Sequence, residues 1–234
     1  MITLNSQRSQ SRHYTARVSF CKPCFDNLTV EIARNPTEED CPAISDLMQD
    51  YISPLTNDTA EIREILENET RKILMRHVSH PDFIPTRISI FEDLRIYSLI
   101  NDRIPSGNYL DEYTTLVYRN LTVLASHLQV VSELRNVGLY INLAYKKFSH
   151  ALCKLDEFRK ALSLRTSLSK MCNYSETISL FSNTEKIDYS ISVLKYGVDS
   201  LTTILSTIRE VVLRETQGCH IDCGPQRKRS LVCP

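Results

Sequence analysis

The chain has no tryptophan, only five glycines in 234 residues, and no excess of either charge, with 28 Lys+Arg against 28 Asp+Glu. Average usage of about 7% would give roughly sixteen glycines, and the deficit argues against sandwiches, barrels and Gly-rich nucleotide-binding folds. Zero net charge exerts no long-range pull on phosphate backbones or acidic membranes, which argues against a general nucleic-acid binder. No stretch approaches eighteen consecutive apolar residues, so no membrane span is expected. The usual motifs of catalysis are also missing. There is no GxSxG, no Walker loop and no HExxH, and the Asp/Glu pairs fall on polar helix faces as solvated charge. The histidines (His13, His77, His80, His127, His150 and His220) are scattered. The chain is therefore read as non-enzymatic, without cofactor or metal.

What the chain does have is eight cysteines in an otherwise ordinary globular composition: Cys21, Cys24, Cys41, Cys153, Cys172, Cys219, Cys223 and Cys233. A disulfide framework in an oxidising compartment competes with a zinc site built from CKPC (Cys21, Cys24) and CHIDC (Cys219, His220, Cys223) in a reducing one. Sequons favour the first. Asn27, Asn57, Asn68, Asn120 and Asn173 all open N-x-[ST] triplets, five of the twelve asparagines, more than chance supplies. The expected location is secreted and extracellular. The first twenty residues lack the apolar segment of a signal peptide, so a removed leader, a misplaced gene start or unconventional export is expected. Asn120 also tests the helix register: if glycosylated it must face solvent, with Leu121 in the seam. Cys153 is either a buried free thiol or a disulfide partner of Cys21 or Cys24. Arg227-Lys228-Arg229 before Ser230 reads either as a processing site or as a solvated basic tail.

Periodicity divides the chain into residues 1–20, a polar tail expected to be disordered, residues 21–216, a helical domain, and residues 217–234, a Cys-containing basic tail expected as loop. Helix A carries Ile44, Leu47, Met48 and Tyr51, is interrupted at Ser53-Pro54, and resumes after a Thr56, Asn57 and Asp58 capping cluster with Ile62, Ile65, Leu66, Ile73 and Leu74 until His80-Pro81. Residues 88–100 form a short apolar segment belonging either to the crossover or to helix B. Helix B follows Leu110, Tyr113, Val117, Leu121, Leu124, Leu128, Val131 and Leu134, with Gly138 as its expected C-terminal cap. Helix C carries Ile141, Tyr145, Phe148, Leu152, Leu155 and Leu162. Helix D has the cleanest stripe: Ile187, Ile191, Leu194, Val198, Leu201, Leu205, Ile208 and Val212. The expected connections are long, short and long, about 28, three and 21 residues, as an all-α, up-up-down-down four-helix bundle with two crossovers requires. Disulfides would staple its arms.

This pattern resembles the long-chain helical cytokines, the group containing leukaemia inhibitory factor, ciliary neurotrophic factor and the insect unpaired ligands. KPCFDNLTVEI at residues 22–32 looks like the N-terminal arm of the first of these, and FSHALCKL at 148–155 looks like the end of its helix C, where a cysteine bonds to that arm. The resemblance implies a monomeric ligand that joins cell-surface cytokine receptor chains and activates JAK/STAT signalling through binding energy alone. It also implies a Phe-x-x-Lys receptor contact at the start of helix D. Phe181 takes the aromatic place, Thr184 stands at the lysine spacing, and the nearest lysine is Lys186. Type I interferon-like ligands share the architecture. The contrasting reading is an intracellular or viral all-helical scaffold, with the terminal cysteines and His220 holding zinc.

Overall fold

Pro54 has no N–H to offer the carbonyl of Asp50, and its ring crowds that carbonyl. The helix absorbs the conflict. In the computed structural model, which describes residues 12–19, 43–77, 109–135, 138–164, 173–180, 182–222 and 230–232, helix α1 runs unbroken through Ile44–Leu47, a π-helical turn at Met48–Ile52, and Ser53–His77. The π turn lies directly before the proline, so the Ser53 N–H bonds the Met48 carbonyl five residues back. The Thr56 hydroxyl donates to the Ile52 carbonyl at 2.7 Å. The interruption expected at Ser53-Pro54, and the restart from Thr56, Asn57 and Asp58, are thus corrected to one continuous helix.

Helices α2 (Tyr109–Arg135), α3 (Gly138–Ala161) and α4 (Asn183–Glu215) follow. Gly138 is the first residue of α3 rather than a cap on α2. Helix α4 begins before the first apolar seam residue because Ser182 and Glu185 form a capping box: the Glu185 N–H donates to the Ser182 hydroxyl at 3.1 Å and the Ser182 N–H to the Glu185 carboxylate at 2.6 Å.

Both α1 and α2 pack on α3 and on α4. Along α1 and α3, Lys154 faces Tyr51, His150 faces Asp58, and Tyr140 faces Lys72. Residue numbers rise on one helix as they fall on the other, so the pair is antiparallel. The same holds for α2 and α4, where Tyr113 meets Thr207, Asn120 meets Tyr196, and His127 meets Tyr189. The shared core includes Tyr113, Tyr118, Phe148, Phe158, Leu66 and Leu121, all buried. At its centre Gly197 of α4 lets three helices close on one another: a Cβ there would lie 2.6 Å from Leu66 Cδ1 and 3.0 Å from Leu124 Cδ1.

Two short ribbons complete the described structure. Strand β1 (Arg12–Ser19) pairs antiparallel with β2 (Asn173–Leu180), matching Tyr14 with Ile178 and Ala16 with Glu176. Tyr14 and Ala16 face the helices while His13, Thr15 and Arg17 are exposed, a period of two. The expectation of a disordered tail over residues 1–20 is corrected for residues 12–19. An isolated two-stranded ribbon is marginal in water; this one is held by packing on α2, with Ala16 fully buried. Strands β3 (His220–Asp222) and β4 (Ser230–Val232) also pair antiparallel, and Ile221 joins the core. Residues 220–222 and 230–232, expected as plain loop, therefore form a ribbon that packs on the helices. Among the described residues no helix is long and apolar enough to cross a membrane.

Between α2 and α3 the Arg159 guanidinium, 3% exposed, donates to the Asp111 carboxylate at 2.6 Å and to the Asp111 carbonyl at 2.9 Å, and also bonds the Thr114 hydroxyl. Removing one partner of a buried pair leaves an uncompensated charge, so Asp111→Ala should cost about 3–5 kcal/mol in urea denaturation. Gly197→Val should cost about 1–3 kcal/mol by overpacking, despite its better helix propensity. An unchanged midpoint in the second variant would mean that Leu66 and Leu124 have room to move.

Candidate functional site

Besides the Arg159–Asp111 group, chemistry-bearing side chains of the described residues gather beneath the β1–β2 ribbon and on the solvent face of the α1–α3 pair. His127 sits in the apolar stripe of α2 and is fully buried. Its Nδ1 lies 2.7 Å from the Tyr189 hydroxyl on α4, and its Nε2 lies 3.2 Å from the Glu176 carboxylate on β2. A neutral imidazole protonated on Nε2 satisfies both partners: Nε2–H donates to Glu176 and Nδ1 accepts from Tyr189. Burial disfavours the imidazolium and holds its pKa down at about 4, against the opposing pull of the Glu176 carboxylate. The group ties α2, α4 and the ribbon together.

The α1–α3 face carries charge and aromatic rings in alternation. At one end a cleft of about 600 Å³ is lined by Asp50, Tyr51, Lys154, Glu157, Lys160 and Ala161. Its cations are already paired, Lys154 with Glu157 at 2.9 Å and Lys160 with Asp156 at 2.5 Å. Midway, Asp58 bonds His150, and Lys147 reaches Glu61 at 2.6 Å and Asp58 at 3.7 Å. At the other end Lys72 stands 4.2 Å over the Tyr140 ring. Here also lie three large apolar side chains in water: Met75 is 78% exposed, and Tyr140 and Leu143 are each 48% exposed. Exposed aromatic and aliphatic side chains beside a satisfied polar surface suit recognition of another protein. Among the described residues no group of three His, Cys, Asp or Glu is placed to hold a metal ion.

The cysteines and sequons have separate fates. Among the described residues, neither Cys153 on α3 nor Cys219 after α4 is a free thiol. Asn57 and Asn68 stand exposed on α1. Asn120 is corrected: it is 1% exposed, its amide donates to the Leu116 carbonyl at 3.0 Å, and its oxygen accepts from the Tyr196 hydroxyl at 2.7 Å. Leu121 is in the core as well, so both neighbours are inside. Asn173 opens β2 opposite Ser19. Lys186, half-buried in the first turn of α4, offers its carbonyl to the Ser190 hydroxyl at 2.7 Å. Phe181, Asn27, Cys21, Cys24, Cys41, Cys172, Cys223, Cys233, Arg227, Lys228 and Arg229 lie outside the described residues.

Sequence reasoning missed the roles of His127, His150 and Arg159. The available signal was position: His127 interrupts the apolar run VLASHLQVV, where a polar residue must find internal partners. Comparison with family models, curated proteins and solved structures gives no match.

The His127 group sets a pH dependence. Unfolded histidine takes up a proton near pH 6.5, whereas the folded one resists to about pH 4, so between these values the unfolded state binds more protons. Its stabilising contribution is full above about pH 6.5 and declines as the pH falls toward 4, by up to about 1.4 kcal/mol per unit. Urea midpoints at pH 7 and pH 5 should differ accordingly, and His127→Gln should flatten the difference. A difference that persists in that variant would assign the effect to other groups.

Proposed function

We propose that this chain is a secreted helical ligand of the cytokine class, which acts without catalysis by bringing cell-surface receptor chains together and activating JAK/STAT signalling. The observation that carries the reading is the arrangement of the helices. Antiparallel contacts of α1 with α3 and of α2 with α4, with both α1 and α2 lying between α3 and α4, fit an up-up-down-down bundle. The connections at residues 78–108, 136–137 and 162–182 are long, short and long, as two crossovers demand. That neither Cys153 nor Cys219 is a free thiol favours disulfides and an oxidising compartment. Long rigid helices supply what such a ligand needs, surfaces whose side chains are fixed before the receptor arrives.

On this reading Tyr140 and Leu143 of α3 are anchors that a receptor module covers, and Lys186 lies at the start of α4 where the resemblance places a second contact. The full chain, made with a secretion leader, should bind saturably to cells bearing cytokine receptor chains and raise STAT phosphorylation. Tyr140→Ala combined with Leu143→Ala should weaken that binding at least tenfold, about 1.4 kcal/mol, with the unfolding midpoint unchanged. Export of a folded protein that binds no receptor-bearing cell and raises no phosphorylation would refute the proposal.

A further inference from the structure

We propose that Asn57 and Asn68 carry N-linked glycans that sheath the outer face of α1, and that Asn120, which opens the same motif, stays bare. This rests on the secreted reading above, because the transfer takes place in the secretory lumen.

Three observations carry it. Asn57 and Asn68 are both exposed and lie eleven residues apart on one helix. Eleven residues make about three turns, so the two side chains point within about 20° of each other, about 16 Å apart along the axis. The positions that complete their stripe, Glu61, Glu64, Arg71 and Met75, are exposed too, which makes it the outermost line of α1. Two glycans there lie side by side on water.

The third residues of the two sequons place the modification in time. The Thr59 and Thr70 hydroxyls are buried and donate to the carbonyls of Leu55 and Leu66, each at 2.7 Å. A transferring enzyme that reads the N-x-[ST] hydroxyl cannot reach either in the folded helix. The glycans are therefore added before α1 closes on its neighbours. The helix then forms without hindrance, because both asparagines turn outward.

Asn120 is the internal contrast. Its amide nitrogen, the atom that would bear the sugar, donates to the Leu116 carbonyl, and its oxygen accepts from Tyr196 of α4. A glycan there would stand where α4 packs, so a chain modified at Asn120 cannot close. With glycans over α1 and the β1–β2 ribbon over α2, protein contact falls to α3 and α4.

The full chain, exported from a secretory host, tests this with Asn57→Gln, Asn68→Gln, the double variant and Asn120→Gln. Gel mobility is compared with and without peptide N-glycosidase, and mass spectrometry locates each Asn-to-Asp conversion. The expected result is one glycan step lost in each of the first two variants, two in the double variant, and none in Asn120→Gln. Conversion should occur at residues 57 and 68. Unglycosylated protein given purified oligosaccharyltransferase and lipid-linked donor should accept sugar at these sites when reduced and denatured, and not when folded. A secreted, disulfide-bonded protein with Asn57 and Asn68 unconverted overturns the proposal and leaves the secreted reading intact. A glycan on Asn120 of the folded protein overturns it equally. Failure of export to the lumen removes both.

Discussion

Helix α2 meets α3 along one side and α4 along another, and the β1–β2 ribbon packs on it as well, so its polar side chains have little water to turn to. A buried hydroxyl or amide without a partner costs about 1–3 kcal/mol, and the helix answers for several of its hydroxyls from within, though Thr115 Oγ1 stays buried without a partner. Thr114, Thr122 and Ser126 donate to carbonyls one turn back, on Leu110, Tyr118 and Thr122. The longer side chains look outward to neighbours: Asp111 to Arg159, Asn120 to Tyr196, His127 to Tyr189 and Glu176. Each of these bonds also sets how α3, α4 or β2 sits on α2. The central helix is positioned by polar bonds as well as by apolar packing.

This division of labour separates the inside from the outside. The α1–α3 interface is wetter at its rim, and its charges are paired with each other, as in the Asp58, Lys147, Glu61 and His150 group. Such partly exposed pairs contribute little to stability. On the α1–α3 face the unusual exposed residues are apolar ones, Met75, Tyr140 and Leu143. Rigid scaffolding below and a few apolar anchors above is the arrangement in which a surface can bind without paying for its own reordering.

Much of the helical skeleton was legible from periodicity. The seam of α4 and the stripes of α2 and α3 needed only the 3.6-residue spacing of apolar side chains, and the helices lie where the stripes do. Reading failed where a rule about local preference met a neighbour that the rule cannot see. Pro54 signals a break, yet a π turn takes up the strain inside a helix whose burial holds it in place. Asn120 lies beside the apolar stripe of a helix expected to have a wet side, and α4 removes that side. Residues 12–19 are polar enough to read as tail, and their alternation acquires meaning only with β2 as partner.

The sequence by itself determined the four helices and their seams, because each depends on residues within a turn or two of one another. It also determined that no excess of one charge draws the chain to polyanions. Tertiary structure decided that the N-terminal strand lies on α2, that Asn57 and Asn68 face water while Asn120 does not, and that His127 resists its proton. The physical reason is the same in each case: burial and partner choice come from segments far apart in the chain, and hydrophobic spacing carries no record of which distant segment will cover a given face.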